Sequence, residues 1–595
     1  MDASGRSAPA LPPPSHADLT SMREARDLVA RAQLAQKLIA ELSQAQIDAI
    51  VDAMAAAVTP QCEALAQLAH EETGFGVAAD KVRKNRFAAE TVYQFIKPMK
   101  TVGVLRRIEA TKVIEIAEPF GVVAAIIPTT NPTSTAIYKI LIAIKARCAI
   151  VMSPHPSAIR CITRVAEIME PAARAAGLPE GGISCLKTVT LEGTQELMRQ
   201  KGVRVILATG GMGLVRAAYS AGKPAYGVGP GNAPAYIEQT ADVPKAVADI
   251  LTGKTFDNGL LCSSENSVVC DESIAAEVKA QFLAQGGYFL NAAESDALAK
   301  VLVTPQRLPN PQLVGRSATV VAAKAGISVP PGTRVLIAPL DGVGRDYPLS
   351  IEKLCPVLSF YVVKDWQEGC LRCQQILQYG GMGHTMSIHS RNDDVILQFG
   401  LKKPAFRIVV NTPTTLGSIG LTTGLDPAMT LGCGGWGGNI TSDNISPLHL
   451  INVKRLAYEV RSARPESGKS QAAQPGSGQA GSAQAGGTGP AAPLSSRVDA
   501  FLGSRGYRPA DSTSAPATAS ERSSAAPAEA PGPRPALPSS PPAAATAPPP
   551  VPFVCEDDVR AAAKAGRRIV IGPKTIVTPA ARDAGEALRL FDMHG

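Results

Sequence analysis

From Gly121 onward the chain alternates short apolar runs with stretches of helical periodicity, and that rhythm limits the folds open to it. The runs 122–127, 149–152 and 203–207 are rich in β-formers, and the stretches 133–145, 159–175 and 213–221 that alternate with them space apolar residues as helices do. Strands that pair in parallel need crossovers of this length, and strands buried on both faces read as near-continuous apolar runs. A second set follows: strand 267–270, helix 274–284, strands 335–338 and 358–363, helix 368–377, then strands 385–388 and 406–411. Two α/β layers with parallel sheets are therefore expected. Ahead of them, 17–58 reads as helix, with Leu28, Ala32, Ala35, Leu38 and Ile39 at helical spacing, and 62–70 reads as a second helix.

The texture breaks near Arg461. From there to about 552 the chain is Gly, Ser, Ala, Gln and Pro, a composition that buries too little apolar surface to offset chain entropy. A disordered linker over 461–555 is expected, as is a disordered proline-rich lead over 1–16. Inside the linker, 495–507 (SSRVDAFLGSRGY) puts Val498, Phe501 and Leu502 on one face of a short helix. The final segment, 556–595, predicts a short α/β unit: a helix from Asp557, a strand over 568–571, and a second helix begun by Thr578 with Pro579 at its first position.

Net charge is +8, yet no run of five basic residues occurs and aromatics are 4% of the chain, which argues against nucleic-acid binding. No apolar stretch reaches the ~18 residues of a membrane span. Eleven cysteines, an odd number spread irregularly, do not make a disulfide framework, and the one CxxC (Cys370, Cys373) has no partner at metal-site spacing. No metal is expected, and a cytoplasmic location with reduced thiols is.

Cys262 lies among Asp257, Asn258, Gly259, Ser263 and Ser264, just before strand 267–270. A thiol on such a polar turn can serve as a nucleophile, although a lone cysteine is commonly a small buried hydrophobe. Asn131, in PTTNPTSTAIYKIL, ends a strand and opens a helix; it can donate to an oxyanion or cap the helix. Thr209, Gly210, Gly211 and Gly213 form a strand-to-helix turn whose N–H groups suit a pyrophosphate, short of the full dinucleotide fingerprint. Gly227, Gly229, Pro230, Gly231 and Asn232 make a stiff turn.

Together the segments EPFGVVAAIIPTTNPTSTAIYK, VMSPHP, ATGGMGLV, YGVGPGNAPAYIE, FDNGLLCSSENSVV, EKLCPVLSF, GGMGHT and LGCGGWGGN resemble the aldehyde dehydrogenase superfamily, in its acylating, coenzyme A-dependent branch. The resemblance runs over most of residues 20–460 and is similar to the N-terminal half of bifunctional aldehyde–alcohol dehydrogenases. It implies a nicotinamide-binding domain at 17–238 with an oligomerisation arm near 104–117, a catalytic cysteine domain at 239–435, and a return at 436–460 to the cofactor and oligomerisation region. Cys262 would be the nucleophile and Asn131 the oxyanion donor. Thr209, Gly210 and Gly213 would lie by the cofactor phosphates, Gly229 near the site, and Glu352 on the nicotinamide ribose.

Two departures from the hydrolytic branch matter. Gly227 stands where those enzymes carry a general-base glutamate, so a Cys262 thioester is left for coenzyme A. Ser153 and His155 stand where they carry the lysine and glutamate that grip the adenosine ribose, leaving NAD and NADP both open. His384 and His155 could each assist the coenzyme A thiol or be satisfied structural histidines. A small aldehyde is the expected substrate, such as acetaldehyde, propionaldehyde or sulfoacetaldehyde, and a homodimer or homotetramer the expected assembly. The alternatives are a phosphate-dependent semialdehyde or acyl-phosphate reductase of the same superfamily, or a vestigial scaffold. The ending KTIVTPAARD resembles extensions of enzymes packaged in bacterial microcompartments, which implies shell or cargo partners and a possible place in that lumen.

Overall fold

The computed structural model describes residues 14–461 and parts of 553–593. The chain divides into two units, residues 1–510 and 511–595.

In the first unit the expected helix over 17–58 is two helices, His16–Ile39 and Gln44–Val58. Ser43 causes the break: its hydroxyl accepts the Gln46 N–H while the Gln46 side chain accepts the Ser43 N–H, a cap that starts a new helix. The first packs on a five-stranded parallel sheet ordered Ile183–Cys185, Ile150–Ser153, Val122–Ile126, Val203–Thr209, Ala225–Val228, and the second packs on helices Pro132–Lys145 and Ile159–Ala175. The helix Pro132–Lys145, which follows the central strand, is buried along its whole length. Its polar groups are therefore satisfied internally. Lys139 donates to the carbonyls of Ile126 (2.8 Å) and Leu207 (2.9 Å), and Lys145 donates to Asp48 (2.6 Å). Successive strands leave Val122–Ile126 in opposite directions, so a crevice opens beyond the carboxyl ends of Val122–Ile126 and Val203–Thr209.

A seven-stranded parallel sheet follows, ordered Gly287–Phe289, Val335–Pro339, Val357–Val363, Glu265–Asp271, Ala233–Ile237, Gly383–His389, Ala405–Val410. The α/β class with two parallel, Rossmann-like sheets is as expected. A three-stranded antiparallel sheet pairs Val113–Pro119 with Gly103–Ile108 on one side and Ile451–Ala457 on the other. Glu115 on its central strand is held by Arg106 and Arg455.

In the second unit, helix Glu556–Lys564 lies among two parallel strand pairs, Phe553–Val554 with Ile576–Val577 and Ile569–Ile571 with Phe591–Met593. The expected peptide 495–507 and most of the helix begun by Thr578 lie outside the described residues, as does nearly all of 461–555. Among the described residues no helix is long and apolar enough to cross a membrane.

Candidate active site

The turn that carries Cys262 is set by a run of left-handed residues. After helix Val243–Thr255, Asp257 (φ 49°), Asn258 (φ 55°) and Gly259 (φ 73°) all have positive φ. For non-glycine residues this conformation costs free energy and persists only where neighbours impose it. Here the Asp257 carboxylate accepts the Val77 N–H (2.6 Å) and ion-pairs with both Lys81 (3.0 Å) and Lys84, while Asn258 donates to the Gly315 carbonyl (2.9 Å). The buried polar anchor fixes the turn, and Cys262 emerges just before strand Glu265–Asp271.

The Cys262 sulfur lies 3.1 Å from Nε2 of His384, whose Nδ1 is 2.9 Å from the Thr385 hydroxyl. Burial pushes the thiol up to about 12, and burial together with the Arg407 guanidinium pushes His384 down to about 3. At rest the pair is therefore a neutral thiol beside a neutral imidazole. A thiol donating to Nε2 fits the tautomer in which Nδ1–H faces Thr385. One consequence is measurable. The thiolate fraction should climb about tenfold per pH unit below a pKa near 12. Alkylation of Cys262 by iodoacetamide in the cofactor-free protein should therefore rise through pH 10 without a plateau; a plateau near pH 8 would contradict the neutral pair.

Asn131 stands at the start of helix Pro132–Lys145, but its side chain does not cap that helix. Instead Oδ1 accepts Lys84 Nζ (2.6 Å), which turns the amide nitrogen toward Thr130 (3.2 Å) and the cavity. Lys84 thus joins two parts of the site, since the same ammonium pairs with Asp257 under the cysteine turn. Burial lowers Lys84 to about 8, with Asp257 the strongest opposing influence. Asn131→Ala is expected to lower kcat by about 10²–10³-fold, the typical loss of an oxyanion donor. Lys84→Met, which frees the amide without removing it, should give a smaller loss at unchanged KM for the aldehyde.

A cavity of about 510 Å³ runs from Cys262 along the crevice at the strand ends. Asn131, His155, Thr209, Gly210, Gly229, Cys262 and Glu352 line it. Two residues singled out from sequence do not. Ser153 is buried behind its strand end, bonded to Thr194 (2.8 Å), and Gly213 lies inside helix Met212–Tyr219, where Gly211 and Leu214 face the cavity instead. His155 accepts the Ser157 N–H (3.1 Å) and fixes its own turn, with burial lowering its pKa. The hydroxyls of Thr129 and Thr209 are buried on the cavity wall with no hydrogen-bond partner. Such orphaned groups suit the polar atoms of a bound phosphate-bearing cofactor. Glu352 accepts the Gly231 N–H (2.9 Å) and is raised by burial to about 7.

Two glycines, Gly227 in strand Ala225–Val228 and Gly231 in the turn that follows it, are fixed by contact. A Cβ on Gly231 would stand 2.1 Å from the Cys262 carbonyl oxygen, so only glycine lets this turn press on Cys262. A Cβ on Gly227 would meet Val215 at 2.8 Å and the Tyr219 ring at 3.0 Å, and Tyr219 accepts the Gly227 N–H (3.2 Å). Position 227 thus has little room for a side chain. Gly227→Glu is therefore expected to destabilise the fold by about 1–3 kcal/mol through overpacking, without creating hydrolysis; thermal denaturation and acid release check both.

Sequence reasoning left His384 open between two roles and passed over Lys84. Lys81, Lys84 and Asn85 sit at i, i+3 and i+4 in helix Ala78–Arg86, a polar face that reads as solvated yet is buried. Nothing in the periodicity distinguishes the two situations. His384 lies 122 residues from Cys262 in sequence, and only the parallel sheet brings them together.

The aldehyde dehydrogenase family model matches residues 15–287. The bifunctional aldehyde-alcohol dehydrogenase AdhE of Escherichia coli (strain K12) is 43% identical over 444 residues, which is 74% of this chain and 50% of that protein. The chain thus spans about half the length of the bifunctional relatives it matches. The crystal structure of an acetylating aldehyde dehydrogenase from Geobacillus thermoglucosidasius is 50% identical with a TM-score of 0.74, covering 76% of this chain and 99% of that one. A propionaldehyde dehydrogenase from the Clostridium phytofermentans fucose utilisation bacterial microcompartment is 28% identical with a TM-score of 0.65, covering 72% of this chain and 96% of that one.

Proposed function

The chain belongs to the acylating branch of the aldehyde dehydrogenase family, and from that premise we propose that it converts a small aldehyde and coenzyme A into an acyl-CoA while reducing a nicotinamide cofactor. The observation that carries this reading is the Cys262–His384 contact at 3.1 Å, with Cys262 on the wall of the cavity. Cys262 passes its proton to His384 Nε2 as the sulfur adds to the aldehyde carbonyl. The Asn131 amide and the Cys262 backbone N–H hold the resulting oxyanion. A nicotinamide cofactor, when bound, would supply the hydride acceptor that thioester formation needs. Thr129, Thr209 and the N–H group of Gly211, with Gly210 beside them, would hold its phosphates, and Glu352 its ribose.

Hydrolysis then needs a base to deprotonate water, and the Gly227 position has none. The coenzyme A thiol, with an ordinary pKa of about 8–9, needs far less help. His384, having released the Cys262 proton to solvent, takes the coenzyme A proton and returns it to Cys262, which leaves as the thiol. Glu352 is the only carboxylate among the described residues on the cavity wall, so no acidic group repels a 2′-phosphate at the adenosine end. NAD and NADP should both serve, with small aldehydes such as acetaldehyde and propionaldehyde as substrates.

The antiparallel sheet of Gly103–Ile108, Val113–Pro119 and Ile451–Ala457 is the proposed contact between copies in a homo-oligomer. Packaging in a microcompartment is proposed on the KTIVTPAARD motif and on the amphipathic peptide 495–507 as an encapsulation segment, with the microcompartment relative in support. Absorbance of the reduced nicotinamide, followed with a panel of aldehydes with and without coenzyme A, tests the activity. Turnover dependent on coenzyme A is expected; sustained turnover with acid release in its absence would overturn the reading.

A further inference from the structure

The CxxC pair lies far from the reacting sulfur in sequence and takes no part in the chemistry above. Cys370 and Cys373 face inward from helix Trp366–Tyr379, both buried. Against Cys370 stands Lys403, the residue that ends helix Asp393–Lys402; it is 2% exposed, and its Nζ contacts the Cys370 sulfur. The ammonium also lies 4.8 Å from the centre of the Phe399 ring. Among the described residues no carboxylate lies within ion-pairing distance of it. A buried lysine ordinarily finds a carboxylate or several carbonyls, as Lys84, Lys139 and Lys145 do here. Lys403 instead has a thiol.

We propose that Cys370 and Lys403 form an oxidative modification site at which hydrogen peroxide joins the two side chains covalently. In the first step the Cys370 sulfur attacks peroxide; the O–O bond breaks, sulfur loses two electrons, and sulfenic acid and one water result. In the second the Lys403 amine attacks the oxidised sulfur; an S–N bond forms, the S–O bond breaks, and the hydroxyl leaves with an amine proton as a second water. Thiol plus amine plus peroxide thus gives a sulfenamide and two waters. Retention of one oxygen, at the expense of a second peroxide and with release of a further water, gives the S–O–N form of the same link.

The link would bracket the site. Pro404, next to Lys403, accepts the Gly383 N–H (2.7 Å), and His384 follows Gly383 directly. On the other side, helix Trp366–Tyr379 runs through Gly380 and Gly381 to the same histidine. Tying Lys403 to Cys370 fixes both approaches to the residue that faces Cys262.

The test is peptide mass spectrometry on the full-length protein after limited peroxide treatment, blocking of free thiols and trypsin digestion. Cleavage after Arg372 separates Cys370 from Cys373, so each possible partner is distinguishable. The expected product joins the Cys370 and Lys403 peptides, about 2 Da lighter than their sum for S–N or about 14 Da heavier for S–O–N. It should be undone by dithiothreitol, lost in Lys403→Met and kept in Cys373→Ser. A Cys370–Cys373 disulfide, simple sulfenic or sulfinic acid at Cys370, or an unmodified Cys370 in the wild-type protein would each overturn the proposal. The wild-type measurement stands whether or not the variants fold, and it is independent of enzymatic activity.

Discussion

Cys262→Ala is expected to abolish coenzyme A-dependent reduction of the cofactor, by about 10⁴-fold or more, the scale on which covalent catalysts respond to loss of their nucleophile. The thermal transition should move little, because the side chain opens onto the cavity and the turn is held by Asp257 rather than by the thiol. The pattern of loss is as diagnostic as its size. With no sulfur to add to the carbonyl, both acylation and transfer disappear, and a first-turnover burst should vanish along with the steady state. A variant that kept a burst would place the covalent step on another residue. The remaining cysteines with resolved shifts near the site offer no substitute: burial raises Cys355 and Cys433 to about 11, and neither is aligned with a base.

His384→Ala should be nearly as severe, lowering turnover by about 10²–10⁴-fold, the usual contribution of a positioned general base. The wild-type imidazole, held near 3, is in its basic form at any pH where the fold is intact, so protonation of His384 should not limit the rate above about pH 4. In the variant the coenzyme A thiol must ionise unaided. Its attack on pre-formed acyl-enzyme should then rise about tenfold per pH unit until the thiol's own pKa of about 8–9. The wild-type enzyme should show a much shallower rise over the same range. A merely structural histidine would lower both limbs equally and leave the slopes alike, so the pH profile of the transfer step decides the role.

The sequence made the parallel sheets legible because their strands are buried on both faces. Val122–Ile126 and Ile150–Ser153 are apolar at nearly every position and need no alternation to be recognised. Strand Ala233–Ile237 escaped notice because it holds Pro234, which cannot donate to a ladder and normally marks an edge. The sheet accommodates it with a register shift at Ala233/Pro234. Asn131 was readable because it sits in a short motif after the carboxyl end of a strand, where ligands bind in such sheets; Cys262 and Glu352, which precede strands Glu265–Asp271 and Val357–Val363, were readable through the motifs that carry the family resemblance. Their supports were not readable. Lys84 and Asp257 look like ordinary surface charges until the turn at Asp257–Gly259 carries the carboxylate inward. Gly213 shows the limit of motif reading: one residue of phase in a helix decides which side chain faces the cavity.

A single trapping experiment bears on all of this. The protein is incubated with an aldehyde and oxidised nicotinamide while coenzyme A is withheld, then digested and weighed. The account predicts one acyl group on Cys262, stable over many turnover times, and discharged on addition of coenzyme A with stoichiometric acyl-CoA. An unmodified Cys262, or free acid released as fast without coenzyme A as acyl-CoA is with it, would contradict it.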